Sequence, residues 1–327
     1  MLLLQYHNLL LQTILTERLA IDASPSSIDQ IVSDFDNVAF HISTPERKSS
    51  ILISLYIKCF NDLQKYGVEE LLQRKYGDYL LPTPEYGYNV SLMLDLGDKE
   101  AGIPSNIPEE AEARQDLINE IALLKRNVIA APFEIAFDKF DQLSAEAAEK
   151  SLELYVPEDS GAEVMAIHYR DEESIFIKPS HDRVTVIFST IFKDETDRVF
   201  GKVFLQEFVD ARRRAIQNAP QVLYSHKEPP LEIRHVPGLK TGDDIGYATF
   251  VLFPRHLAPQ RRQNCISHIQ IFRDYFHYHI KCSKAYMHSR MRYRVSEFLK
   301  VLNRAKPENA EKEKKTASGR RFEIGRR

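Results

Sequence analysis

The sequence predicts an α+β fold: two similar domains, each a mainly antiparallel sheet with packed helices, ending in a long C-terminal helix. Three observations carry that prediction. Short β-rich runs, a helical stretch, a further strand and a long helix fill the first half and return in the same order in the second. Landmarks keep step with the return: Gly87-Tyr88 and Gly246-Tyr247 each open a strand before a long helix, and Phe60 and Phe192 each close a β-rich run before a middle helix. Finally, 47 residues between Pro259 and Pro307 contain neither Gly nor Pro. Most globular helices run only roughly 8–20 residues.

Taken in order, Asn8 caps a first helix whose Leu11, Ile14, Leu15 and Leu19 recur at helical spacing. The apolar start has no basic flank and is interrupted by Gln5, His7, Asn8 and Gln12, so it reads as this helix rather than as a targeting segment. Residues 30–43 and 49–60 are β-rich runs, residues 61–77 a helix, and residues 88–96 a strand after the turn at residues 82–87. A loop holding Pro104 and Pro108 leads to a helix from about residue 109, which Pro132 should kink or end.

The second pass runs through β-rich residues 162–180 and 182–192, a helix at 193–214, and strands at 221–225 and 246–253. Val184, Val186 and Phe188 alternate, imperfectly, with Arg183, Thr185 and Ser189, which suits a sheet with one buried and one wet face. The expected organisation is a first α+β domain at 1–140, an acidic and partly helical connection at 141–162, and a second α+β domain at 163–306. The second domain carries the long basic helix at about 258–305, and residues 307–327 read as a disordered basic tail.

Hydrophobic residues at 43% suffice for a sizeable core, and no 18-residue apolar stretch offers a membrane span. Cys59, Cys265 and Cys282 form no disulfide framework or CxxC pair, which suits a reduced, cytosolic setting. The net charge of −3 conceals an asymmetry: residues 257–327 hold 18 Lys and Arg against 6 Asp and Glu, leaving the rest of the chain strongly acidic. A basic rod on an acidic body implies an anionic partner for the rod.

Reactive constellations are missing. The glycines of residues 238–246 match neither a dinucleotide fingerprint nor a phosphate loop, and Asp243-Asp244 lacks further oxygen ligands for a cation. His268, His277, His279 and His288 cannot converge on a straight helix, and no zinc spacing or nucleophile motif appears. Paired carboxylates such as Asp34 with Asp36 and Glu172 with Glu173 read as solvated charge. The expectation is a non-enzyme with no cofactor and no metal.

The long helix carries the remaining information. At about 1.5 Å per residue it would reach roughly 70 Å, far beyond a strand of roughly 17–20 Å. Cys265, Ile269, Phe272, Phe276 and Ile280 continue into Met287, Met291, Val295, Phe298 and Leu302 at steps of three and four, interrupted near Ser283. The first group should pack on its own sheet and the last five on a partner. Lys281, Lys284, His288, Arg292, Lys300 and Arg304 run alongside near multiples of one turn, with Arg290 and Arg294 to one side. A solvated charged face would explain such a run, but eleven basic residues against Asp274 and Glu297 over residues 257–306 exceeds ordinary balance. An acidic lipid surface and a polyanionic protein both suit it. Nucleic acid is disfavoured, because no helix-turn-helix, zinc finger or RNP motif accompanies the charge. A secondary basic spot, Arg212-Arg213-Arg214, ends the middle helix, where cations also favour the helix dipole.

The strings DRVTVIFSTIFKDETDRVFGKVFLQEF, APQVLYSHKEPPLEI, GYATFVLFPRH and FRDYFHYHIKCSKAYMHSRMR, joined by SDFDNVAFHIS, YGYNVSLMLDL and LLKRN, closely resemble the subunit 2 (34-kDa-type) family of the actin-related protein 2/3 complex. The resemblance covers nearly the whole chain and departs mainly in the 141–163 connection and the tail. It implies two similar α+β domains, each with a long helix. It also implies tight pairing with subunit 4, forming a core around which actin-related proteins 2 and 3 and the other subunits are arranged. Contact with the side of a mother actin filament, support of branch nucleation, and a cytoplasmic place in the cortical actin cytoskeleton follow from the same resemblance. The family binds ATP on its actin-related subunits and supplies no catalytic residue here. Combined with charge placement, the resemblance assigns filament contact to Lys281, Lys284, Arg290, Arg292, Arg294, Lys300 and Arg304. It assigns the subunit 4 interface to Met287, Met291, Val295, Phe298 and Leu302. Nucleic acid is not an expected partner, and acidic lipid is at most a weak one.

Overall fold

The computed structural model describes residues 4–97, 102–149 and 163–305. Residues 150–162 of the expected connection and the expected tail lie outside the described residues. The chain forms two compact units, Met1–Tyr278 and His279–Arg327. Both sheets belong to the first.

Helix α1 (Leu9–Arg18) starts where Asn8 predicts: its side-chain oxygen accepts from the Leu11 amide at 2.9 Å, and Leu11, Ile14 and Leu15 are buried. Strands β1 (Asp29–Asp34), β2 (Val38–Ser43), β3 (Ser50–Tyr56) and β4 (Val90–Asp95) form an antiparallel sheet in chain order. The run at 30–43 is therefore two strands. Asp36 (φ 66°) and Asn37 (φ 56°) reverse the chain, in the left-handed region that short polar side chains tolerate. The predicted helix at 61–77 is likewise two, α2 (Phe60–Gln64) and α3 (Val68–Tyr76), divided at Gly67 with φ 66°. A left-handed residue cannot sit inside a right-handed helix.

Helix α4 (Ala111–Ala122) and helix α5 (Leu124–Glu149) follow. Pro132 does not end the helix: α5 runs through it, and the break comes earlier, at Leu123. Val128, Ala131, Phe133, Ala136 and Phe137 around Pro132 are all buried, so packing on both sides outweighs one lost hydrogen bond. Residues 141–149, assigned to the connection, continue this helix.

The second sheet contains β5 (Met165–Ile167), β6 (Ile175–Pro179), β7 (Val184–Ile191), β8 (Gln221–His226) and β9 (Ile245–Leu252), ordered β5-β6-β7-β9-β8 and antiparallel throughout. Helix α6 (Glu195–Arg214) crosses between β7 and β8, and α7 (Pro259–Ala305) closes the described fold. The two sheets share a chain path: a three-strand meander, a helical crossing, then a strand returning beside the third. Even β8 has a counterpart. Leu80 bridges Leu92 on the free side of β4, where the Leu81 amide donates to the Ser91 carbonyl at 2.9 Å and the Met93 amide to the Tyr79 carbonyl at 2.8 Å.

The one-wet-face reading of β7 fails, because β7 and β9 are buried along nearly their whole length. On one face Phe188 and Phe250 meet Phe272 of α7 at ring-centroid separations of 5.3 and 4.5 Å. Elsewhere in the sheet Phe176, Ile187, Ile245 and Tyr247 form a cluster with Ile233, to which Val236 and Leu239 add cover. The segment after β8 thus lies over strands whose alternation looked solvent-facing.

The first half of α7 is fastened to the first sheet's helices as well. Buried Arg126 donates to Ser267 Oγ (3.0 Å), Asn127 Oδ1 (2.9 Å) and the Gln263 carbonyl (2.6 Å). Asn127 in turn donates to the Tyr76 hydroxyl at 2.8 Å, which donates to the Glu120 carbonyl at 2.8 Å. Each buried polar group there finds a partner, so the network locks α3, α4, α5 and α7 in one register.

Candidate interaction surface on the long helix

Along α7, burial extends through Ile266, Ile269, Phe272 and Phe276 to Ile280. From Lys281 to Ala305 no residue is buried. The apolar side chains of that stretch are large and open: Met291 is 60% exposed, Val295 56% and Phe298 63%, with Met287 and Leu302 also exposed. At roughly 100° per residue, these five fall within an arc of roughly 80°. Sequence spacing placed them on one stripe, and the helix keeps them there.

The cations are arranged differently from the reading as one neighbouring row. With the same turn per residue, Lys281, Lys284, His288, Arg292, Lys300 and Arg304 spread over roughly 200°. Lys284 falls within the apolar stripe and Lys300 stands on the opposite side. Arg290 and Arg294 flank the stripe on its other edge. Steps that are only near multiples of one turn accumulate this drift. His288, Met291, Arg292, Val295, Leu299 and Lys300 accordingly line one continuous surface of mixed character.

Local partners occupy part of the charge. Lys300 Nζ lies 2.8 Å from Glu297 Oε1, and the Arg290 guanidinium sits over the Tyr286 ring at 5.7 Å. Such exposed contacts contribute little to stability and leave the cations accessible. Tyr286, Tyr293, Leu299 and Val301 are also exposed, and the stripe reading missed them. Their signal was simply the density of large apolar residues in a charged segment.

The secondary basic spot is partly structural. Arg212 Nε donates to the Ala219 carbonyl at 3.1 Å, and Arg214 lies 3.5 Å from Asp210. Arg212 and Arg214 are therefore engaged locally at the end of α6, where cations also favour the helix dipole. Among the described residues no group of three or more His, Cys, Asp or Glu side chains could hold a metal ion, and no helix is long and apolar enough to cross a membrane.

An open, mixed apolar and basic helical surface suits protein assembly, and comparison with known proteins agrees. Residues 53–309 match the family described as Arp2/3 complex, 34 kD subunit p34-Arc. The chain belongs to that family. It is similar to the actin-related protein 2/3 complex subunit 2 of Schizosaccharomyces pombe, with 56% identity over 326 residues, 98% of this chain and 99% of the relative. Its likeness to the Dictyostelium discoideum protein of the same description is 39% over 323 residues, 98% of this chain and 99% of the relative. The family match takes in the end of β3, all of β4, the whole second sheet and all of α7.

Proposed function

We propose that the chain is a non-catalytic structural subunit of the actin-related protein 2/3 complex. Its α7 pairs with subunit 4 through Met287, Met291, Val295, Phe298 and Leu302. The cations of this segment, Lys281, Lys284 (in line with the stripe but one turn before Met287), Arg290, Arg292, Arg294, Lys300 and Arg304, supply the contact with the side of a mother actin filament. The pair forms the core that holds actin-related proteins 2 and 3 and the other subunits, and it supports nucleation of branches in the cytoplasmic, cortical actin cytoskeleton. Two similar domains, residues 1–140 and 163–306, carry this role.

One observation bears most of the reading: every large apolar side chain from Tyr286 to Leu302 is exposed while Ile280 is fully buried. A stripe of this kind favours aggregation unless a partner covers it. Burying one such side chain is worth roughly 1.5–3 kcal/mol, so five suffice for a durable pairing. Family membership supports a partner within the complex, and the positive charge favours attraction to an acidic filament.

Co-expression tests the reading. The chain produced alone should aggregate, and co-expression with subunit 4 should yield a soluble pair that enters the complex. A monodisperse chain that ignores both subunit 4 and filaments would refute it. Charge reversal that abolished binding to acidic vesicles and left filament binding untouched would assign the cations to lipid instead.

A further inference from the structure

We propose that Asp274 is a proton-operated latch for the joint between the two sheets, firm when its carboxyl is protonated and loosened when it is ionised. Asp274 lies on the fastened half of α7 and is only 9% exposed, and its Oδ1 has no hydrogen-bond partner. The buried Tyr169 hydroxyl, on the stretch between β5 and β6, is also unpartnered. Both line one cavity of about 60 Å³, shared with the β1–β2 turn and α5.

Nearby cations are committed elsewhere. Arg170 holds Asp36 at 2.7 Å, tying the β1–β2 turn to the second sheet. The Arg273 guanidinium binds Glu173 through Nη2 at 2.6 Å and Nε at 2.9 Å, which leaves its Nη1 at 3.7 Å from Asp274, beyond hydrogen-bond reach. Lys125 reaches Asp34 at 3.4 Å and the Phe35 carbonyl at 3.0 Å, while Arg126 is consumed by the α5–α7 network. His277 stands 3.9 Å from Glu173, and Tyr6, His7 and Cys59 complete the titratable lining. An ionised Asp274 therefore adds a second negative charge near Asp36 with no hydrogen-bond donor to its Oδ1.

Burial pushes the Asp274 carboxyl up from 3.8 to about 6, with the Asp36 charge adding to the rise and Lys125, Arg273 and Arg170 opposing it. The closed joint thus binds this proton more tightly than an opened, solvated joint. Closure weakens as pH rises between those two values and is level above the upper one. Opening should increase roughly tenfold from about pH 5 to about pH 7 and change little beyond.

Hydrogen exchange on the assembled complex, corrected for intrinsic rates, reads this directly at residues 34–38 and 168–175. The wild type should show the tenfold step, and Asp274→Asn should remove it, holding opening at pH 7 to the pH 5 level. A flat wild-type profile, or an unchanged step in Asp274→Asn, would overturn the proposal. Should Asp274→Asn not assemble, Asp36→Asn serves: removal of the like charge should move the step to lower pH, and an unmoved midpoint counts against the latch.

Discussion

Phe298 and Tyr293 offer a matched pair for testing the division of the long helix into faces. They are 63% and 64% exposed, yet they lie roughly 140° apart around α7. If Phe298 becomes fully covered by subunit 4, about two thirds of its transfer energy is gained on pairing. Full burial is worth roughly 1.5–3 kcal/mol, so Phe298→Ala should weaken pairing by about 1–2 kcal/mol. That is roughly five- to thirtyfold in dissociation constant. Tyr293→Ala removes as much exposed surface from another face and should leave the constant within about twofold. The assay is dissociation of the co-expressed pair on dilution, followed by fluorescence of a label on subunit 4. Equal effects from both variants, or no effect from Phe298→Ala, would refute the assignment of the stripe.

Arg292→Glu with Lys300→Glu should reduce filament co-sedimentation of the assembled complex several-fold without loss of subunits; unchanged pelleting at physiological salt removes both residues from the contact. Met291→Asp should block assembly by burying an unpaired charge, and a normal complex carrying it contradicts the interface. A Cβ on Gly201 would stand 2.9 Å from the Phe192 ring and 3.0 Å from that of Phe276, so Gly201→Ala should cost roughly 1–3 kcal/mol in thermal unfolding, with an unchanged melt counting against tight packing there. Burial pushes the Cys59 thiol up to about 12 and Cys265 up to about 11, so at pH 8 a mild alkylating reagent should modify exposed Cys282 well before either, as read by peptide mass spectrometry.

The parts of this fold that sequence disclosed are those fixed by local chemistry. Asn8 announced its cap, the unbroken run after Pro259 announced α7, and the helical and strand periods located α6 and β9. Errors arose where distant chain decided the outcome. Pro132 stays helical because packed neighbours hold it, and β7 is dry on both faces because later residues fold over it. The Gly67 break was visible as a residue, but its φ was not. For the candidate surface on α7, spacing resolved the apolar stripe, whereas near-multiple steps blurred the cations into a row they do not form. The Asp274 joint had no sequence signal, since Asp36, Lys125, Arg170 and Asp274 meet only through the tertiary fold.

Methionine oxidation footprinting of the assembled complex tests the central claim most directly. Met165, at 6% exposed, supplies the buried reference, while Met287 and Met291 are 49% and 60% exposed in the chain itself. Coverage of the stripe by subunit 4 predicts that both oxidise in the complex as slowly as Met165. Oxidation of Met287 and Met291 at the rate of open side chains would contradict it.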